Sequence, residues 1–437
     1  MSTHIRFSRL ACSAALIALL AACSTTTNQV TVNPALPEVV AQADEGPLVV
    51  LPLSALPESQ ARPLAGKYAP VAWSDLPGWA SDDLKNVWSI FLRNCRGLVR
   101  PTSGNLAGPA RAAPRAWQPV CAAAADLSKA PQGENLAAVR TFLQTWLQPW
   151  RIQGADGKPA ANTVTGYYEP TVKGSRNRGG VYQWPLYTVP TDLLTIDLGK
   201  VYPELAGKRV RGKLDGNKVV PYDSRAAFDS KSNKSAAIVW VNDPVDNFFL
   251  QVQGSGRVQL TEGPEAGQTL RVAYADHNGH PYVSIGKWLA DQGELPLAQT
   301  SMQGIREWAK RHPNRVNEML NANPALVFFK EEVITDPEKG PKGAEGIALT
   351  AQRSIAVDTN YAPLGSLAYL ATTQPASTQP LNRLVFAQDT GTAIKGAARA
   401  DFYWGSGDEA GALAGRMKQT GQMWLLWPKA AGAPSAR

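Results

Sequence analysis

Apolar positions along this chain change their period several times, and the changes divide it into segments. After Ser81-Asp82-Asp83, residues Leu84, Val87, Trp88, Phe91 and Leu92 share one helical face, and Leu136, Val139, Phe142, Leu143, Trp146 and Leu147 repeat the spacing. Positions three and four apart meet on one side of a helix, so both stretches predict amphipathic helices, the first capped by its Ser-Asp-Asp start. Such stripes are core. From Thr163 to about Ala275 the texture turns to short β-rich runs, at 181–189, 237–241, 248–252 and 270–274, separated by Gly, Asp and Asn turns. Helical spacing returns at 285–289, 302–308 and 316–320. From 326–329 onward the chain reads as strands again, at 355–358, 367–370, 384–388 and 423–427. A β-module thus stands between two parts of another β-containing domain, and no internal repeat is visible.

The two ends carry different signals. Arg6 and Arg9 form a basic start, Ala14 to Ala22 an apolar run, and Leu20-Ala21-Ala22-Cys23 closes it with small residues before a cysteine. That pattern resembles a bacterial lipobox, and the run is too short to span a bilayer. Residues 1–22 are therefore expected to be a lipoprotein signal, and Cys23 a lipidated anchor. Ser24 after the cysteine implies, by the same resemblance, the periplasmic face of the outer membrane. Residues 23–64, rich in Thr, Ala, Pro and Val, read as the anchor and a flexible tether, and 429–437 as a disordered tail.

Of four cysteines, Cys95 and Cys121 remain for the body. In an oxidising compartment they predict a disulfide, with two independent buried thiols as the alternative. Closing a loop of about 25 residues would stabilise by roughly 3 kcal/mol in the chain-entropy model. No metal site is expected. His277 and His280 are the only close histidine pair, and with Asp276 they sit in a Gly and Asn-rich stretch that reads as a turn. Loss of Arg6 and Arg9 takes the formal charge from +8 to +6. A basic exported body suits an anionic polymer such as peptidoglycan or lipopolysaccharide, and the compartment excludes nucleic acid. Thirteen tryptophans fit either a large core or an open carbohydrate groove.

Candidate chemistry concentrates near the C-terminus. Asp358 lies in SIAVDTNYAPLG, Asp389 in FAQDTG and Asp401 in ARADFYWG. Any one alone reads as a structural cap, but three within about 45 residues, each among glycines or aromatics, read as a carboxylate site. Aromatic rings desolvate an acid, raise its pKa and stack on sugar faces. Two Asp-Thr pairs after apolar residues fit an aspartic peptidase in part, yet Asn360 stands where that family has glycine. Glycan cleavage by a protonated acid explains more of the segment.

The segment 389–396, DTGTAIKG, is followed by RADFYWG at 399–405, Gly411 and GQMWLL at 421–426. Together they resemble the three-aspartate domain of the membrane-bound lytic murein transglycosylase A family. Upstream, TGYYEP at 165–170, QVQGSG at 251–256, NGHPYVSIGK at 278–287, SMQGIR at 301–306 and NPALVFFK at 323–330 match it in the same order, so the resemblance covers roughly residues 65–428. It implies a mainly β fold with α-helices: a discontinuous double-psi β-barrel domain, an inserted smaller β-barrel domain, and a deep groove between them. The expected divisions are 65–164 and 281–428 for the split catalytic domain and 165–280 for the insertion.

The same resemblance implies cleavage of the β-1,4 bond between N-acetylmuramic acid and N-acetylglucosamine. The products end in 1,6-anhydromuramic acid, attack is exo-acting, and no cofactor is used. It places the single catalytic acid on Asp401, with Asp389 and Asp358 in support. Phe402, Tyr403 and Asp389 are the expected perturbers of that acid. Thr165, Tyr167, Tyr168 and the backbone of Gln253, Gly254 and Ser255 are expected to line the groove, with Gln251 and Gln253 toward acetamido groups. Lys395 and Arg399 would meet carboxylates of the lactyl-peptide or stand solvated. Glycan strands are the expected partner, with a divisome or wall-synthesis complex possible and the chain a monomer. A non-catalytic peptidoglycan-binding lipoprotein, or a peptidase, is the alternative.

Overall fold

The computed structural model describes residues 46–56, 58, 62–98, 111–129, 135–154, 156–198, 201–202, 210–230 and 237–436. Cys23, the signal segment and the start of the tether lie outside them. Residues Gln42–Arg437 form one compact unit.

The first third supplies strand β1 (Lys67–Pro70), helices α1 (Val87–Leu98), α2 (Pro114–Leu127) and α3 (Leu136–Trp146), then β2 (Leu147–Gln153) and β3 (Ala161–Glu169). Helix α1 starts later than its apolar stripe. Leu84 and Asn86 take φ of 46° and 61°, a left-handed backbone that no helix can include. Asp82 consequently serves elsewhere: it pairs with Arg353 and accepts the Leu384 N–H at 2.7 Å, both buried. Asn135 caps α3 through the Ala137 N–H at 2.8 Å. Helix α2 is one that the periodicity does not predict; it begins with Pro114 in its first turn and is carried by the run Ala122–Ala125. Cys95 of α1 and Cys121 of α2 are joined by a disulfide.

The helices cover one face of a sheet, and Trp79, Trp88, Trp117, Trp424 and Trp427 are buried in the layer between. Tryptophan therefore builds core here. Two expectations about the ends change. Leu48 and Leu56 are buried, so packed chain reaches into the stretch read as tether. Ala436 is buried and exchanges backbone hydrogen bonds with Arg62 at 2.7 and 2.9 Å, so the small residues of the tail form a bridge.

The middle of the chain gives β4 (Thr171–Ser175), β5 (Trp184–Tyr187), β6 (Leu194–Ile196), β7 (Val210–Asp215), β8 (Lys218–Pro221), α4 (Arg225–Ser230) and β9 (Ala237–Val241). It continues with α5 (Pro244–Gln253), β10 (Ser255–Leu260), β11 (Thr269–His277), α6 (Ile285–Asp291), α7 (Met302–Arg311), α8 (Val316–Asn321) and β12 (Val327–Glu332). Six strands pair in the order β12-β11-β10-β4-β9-β5, and β6-β7-β8 make a separate small sheet. The sheet-forming module runs past residue 280, because β12 returns to pair antiparallel with β11 and carries α6–α8 with it. Residues 248–252 are helical rather than extended. Asp243 accepts the N–H groups of Val245 and Asp246, Pro244 occupies the first turn, and Gly254 at φ 80° ends the helix.

The remainder contributes β13 (Ser354–Val357), β14 (Leu367–Thr373), β15 (Pro380–Asp389), β16 (Ala400–Ser406), α9 (Gly407–Arg416) and β17 (Lys418–Pro428). These join the early strands in the order β1-β2-β17-β14-β15-β13-β16-β3. Strand β3, at the end of that order, also pairs with β17, its third strand. Ile355, Val357, Leu370, Val385, Phe402 and Leu425 fill the inside. Two pairings within this ladder, β13 with β15 and β16 with β3, are parallel. The whole is a mixed, mostly β architecture.

Candidate active site

Strand register assembles the site. On β13, Ala356 pairs with Asp389 of β15 on one side and with Asp401 of β16 on the other, and Asp401 pairs in turn with Thr165 of β3. Residues opposite one another on neighbouring strands point to the same face. Thr165, Asp401, Ala356 and Asp389 thus stand in one row across four strands, with the two acids about 10 Å apart at their Cα atoms. Alternation along β16 sends Ala400, Phe402 and Trp404 into the apolar interior, while Tyr403 stays on the face of Asp401. Tyr167 follows Thr165 by two residues and joins Tyr403 at 5.2 Å between ring centres.

The two acids are held differently. Asp401 accepts one hydrogen bond through Oδ1, from the Thr165 hydroxyl at 2.6 Å. That hydroxyl oxygen accepts from Arg399 Nη2 at 2.9 Å. Asp389 has both oxygens engaged: Oδ1 accepts the N–H groups of Ala344 (3.0 Å) and Thr390 (2.9 Å), and Oδ2 accepts the Tyr167 hydroxyl (3.1 Å). Asp358 is buried and spent on two backbone N–H groups and the Asn360 side-chain amide. Its oxygens accept from Asn360 at 3.0 and 3.1 Å and from the Gly396 N–H at 2.8 Å. Gly396 at φ 109° needs that support, and the loop it anchors leads into Arg399 and Asp401.

Burial pushes the Asp401 carboxyl up to about 6; the Thr165 hydrogen bond and then Arg399 pull it down, and Asp389 adds to the rise. Asp389 is also raised, by burial, with the Ala344, Thr390 and Tyr167 hydrogen bonds opposing. Tyr167 is held well above its ordinary value, first by burial and then by both acids, so it remains a donor. Burial lowers Arg399, and Asp401 opposes that change. Burial thus raises both acids of the row, and Asp401, at about 6, can exist in either form near neutral pH. Its Oδ2 is outside the hydrogen bonds that fix Oδ1.

Several expected contacts fall elsewhere. Phe402 is fully buried in the apolar interior, 5.0 Å from Trp404, so it cannot stack on a sugar. Tyr403 is 2 % exposed and packs against Tyr167, which makes it a wall of the site rather than a sugar platform. Gln251 is buried on the inner side of α5, accepting from Arg225 at 2.9 Å and donating to Asn247 at 2.7 Å, so it braces the helix. Gln253 differs: its Oε1 accepts the Tyr168 N–H at 3.0 Å and ties α5 to β3. Gly254 is the left-handed stop of α5, and Ser255 opens β10 and is buried. Lys395 is exposed on the loop before Arg399.

Tyr168 points away from the carboxylate row. It borders a cavity of about 510 Å³ whose lining includes Asp246, Met302, Arg306, Asp408 and Gly411. Two residues outside the expected core of the site prove central. Arg399, the first residue of RADFYWG, holds the Thr165 hydroxyl rather than a substrate carboxylate. Glu169, inside TGYYEP, is fully buried and accepts from Arg257 (2.9 Å) and Arg271 at the start of the second sheet. Those arginines also donate to the carbonyls of Pro337 (2.6 Å) and Lys339 (2.7 Å). Asp276 pairs with Arg211, and His280 meets the Tyr222 carbonyl at 2.7 Å. Among the described residues no three His, Cys, Asp or Glu side chains gather as metal ligands.

Residues 163–330 match the family described as MltA specific insert domain, and 353–427 match the 3D domain. Membrane-bound lytic murein transglycosylase A of Escherichia coli (strain K12) is 32% identical over 293 residues, covering 66% of this chain and 71% of that protein. The crystal structure of MltA from Neisseria gonorrhoeae superposes with a TM-score of 0.69 at 34% identity, covering 87% of this chain and 97% of the other. The E. coli MltA structure with bound chitohexaose gives 0.60 at 27%, covering 84% and 96%.

Proposed function

The chain belongs to the membrane-bound lytic murein transglycosylase A family and is a peptidoglycan lytic transglycosylase, and we propose that Asp401 alone performs its acid and base steps. The carrying observation is the unequal hydrogen bonding of the two carboxyls: Asp389 has both oxygens taken by N–H and O–H donors, whereas Asp401, which burial raises to about 6, is fixed through one oxygen. With the N-acetylmuramic acid residue in place, Asp401 donates its proton to the glycosidic oxygen as the C1–O bond breaks. The C6 hydroxyl of the same sugar then attacks C1, and the Asp401 carboxylate takes the hydroxyl proton. An internal nucleophile has a high effective concentration, so neither a positioned water nor a second carboxylate is needed. Between the steps, the Thr165 hydroxyl and Arg399 hold the anion.

The glycan substrate fits the relative crystallised with chitohexaose, and the family resemblance implies that it binds in a groove between the two domains. The order β17-β14-β15-β13-β16-β3, with two parallel pairings, supports a double-psi barrel for the split domain, with the insertion spanning about 170–332. Membrane association agrees with the relatives' name, and the lipobox at Cys23 carries the finer reading of an anchor in the outer membrane. Exo attack by a monomer rests on the family likeness.

Chain starting at Ser24, incubated with murein sacculi, is expected to release soluble muropeptides ending in 1,6-anhydromuramic acid without new reducing ends. Reducing ends would mean hydrolysis, and binding without release would mean a glycan-binding lipoprotein.

The pH dependence follows from the proton that must be present at the start. Turnover at limiting substrate should fall about tenfold per pH unit above roughly 6, because only protonated Asp401 can donate. Thr165→Val removes a hydrogen bond that favours the carboxylate, so the limb should move to higher pH while maximal turnover drops. An unmoved limb would separate Thr165 from the acid.

A further inference from the structure

The β6-β7-β8 sheet carries its amphipathic pattern the wrong way round. Its register pairs Leu194 with Gly212, Ile196 with Val210, Gly212 with Pro221 and Leu214 with Val219, which collects Leu194, Ile196, Val210, Leu214, Val219 and Pro221 on one face. That face contains no polar side chain. The opposite face bears Arg211 and Lys213, and these point into the body: Arg211 Nε donates to Asp276 at 2.9 Å, and Lys213 Nζ to Asp223 at 2.6 Å. A Cβ on Gly279 would lie 2.6 Å from the Arg211 Cβ, so the turn at Gly279 is pressed against this polar side. The apolar side is left outward, with Val210 at 44 %, Leu214 at 64 % and Val219 at 49 % exposure.

We propose that this outward face rests on a lipid bilayer, as a second membrane contact beside the N-terminal anchor. Its size argues against a second copy, because a stable dimer needs about 20–30 residues from each side and this face offers six. A bilayer makes no such demand. Attachment strength scales with the apolar area buried, so a face of this size binds a bilayer weakly and reversibly on its own, and a covalent anchor beside it makes the attachment stable. The distance permits it: Cys23 stands 23 residues before residue 46, a reach of about 80 Å at most. Asp215 and Lys218 face each other across the β7–β8 tip, so the tip adds no net charge. Tyr202, 50 % exposed on the connection between β6 and β7, is of the residue type that sits at lipid headgroups.

The test uses chain starting at Ser24, which retains the whole compact unit, floated with vesicles of phosphatidylethanolamine and phosphatidylglycerol at a ratio of about 3:1. The parent should float with the vesicles, and Leu214→Asp with Val219→Asp should cut the floated fraction at least tenfold while sacculus digestion in solution stays unchanged. Leu214→Ser with Val219→Ser serves if the aspartate pair lowers the melting temperature. A parent that does not float, a variant that floats equally, or a concentration-dependent dimer abolished by the variant would each overturn the proposal. Because digestion is read separately, loss of vesicle binding does not bear on the role of Asp401.

Discussion

Asp401→Asn is expected to lower muropeptide release by about a thousandfold, within the range that a general acid and base contributes. Asparagine keeps the shape of the side chain and an oxygen for the Thr165 hydroxyl, which Arg399 continues to hold from its other side. Only the transferable proton is lost. Affinity for sacculi should remain, since binding does not use that proton. Stability supplies an independent check on the same residue. A carboxyl raised to about 6 in the folded chain favours folding most when protonated, below its ordinary value near 4. That contribution is lost as pH rises through 6, so burying the anion costs stability at neutral pH. The Asn variant should therefore melt above the parent at pH 7, with the gap shrinking toward pH 4. Asp389→Asn should cost far less turnover, through misplacement of Tyr167 and the Ala344 segment. Wild-type rates in Asp401→Asn with loss in Asp389→Asn would reverse the assignment of the acid.

The second large effect concerns Glu169. Replacing it by Ala should destabilise the chain by about 3–5 kcal/mol, because Arg257 and Arg271 would be left without their shared carboxylate in a buried place. Strand β3 ends at Glu169, whereas β10 and β11 belong to the other sheet, so the carboxylate ties the two sheets together. Both arginines also hold the carbonyls of Pro337 and Lys339, in the stretch that carries the chain back toward the carboxylate row. Glu169→Ala should consequently lose activity beyond what its melting temperature explains, and Glu169→Gln should lie between. A loss below about 1 kcal/mol by denaturation would mean that the triad is replaceable by solvent.

What the chain reveals on reading depends on whether a signal is local. The helices at 136–146, 285–291 and 302–311, and strands such as 237–241 and 354–357, follow their periodicity because the residues that cover them lie on one face. The segment 248–252 misleads, since Phe-Phe-Leu-Gln-Val fits either a strand or a buried helical turn. The decision lies outside it, in Asp243-Pro244 before and Gly254 after. Where the middle module ends is hidden for another reason: β12 joins β11 across some fifty residues, and pairing at that distance leaves no local mark. In the candidate site, Asp401 and Asp389 stand out because acids next to glycine and aromatics are unusual. The aromatic after Asp401 is the wrong one, because β16 alternates and turns Phe402 inward. Gln251 and Gln253 illustrate the same limit on a helix, where two positions apart means nearly opposite sides.

The position of β3 between β16 and β17 has a consequence in time. Thr165 is made early, while Asp401 follows 236 residues later and the β17 strand that also pairs with β3 comes later still. Until those residues have left the ribosome, the partner strands of β3 do not exist, and contacts this far apart in sequence form late. A truncated chain ending before residue 400 would contain neither the acid nor the surface that seats Thr165. A wall-cutting activity built this way stays silent while the chain is being made and switches on only once β16 and β17 are there to pair with β3.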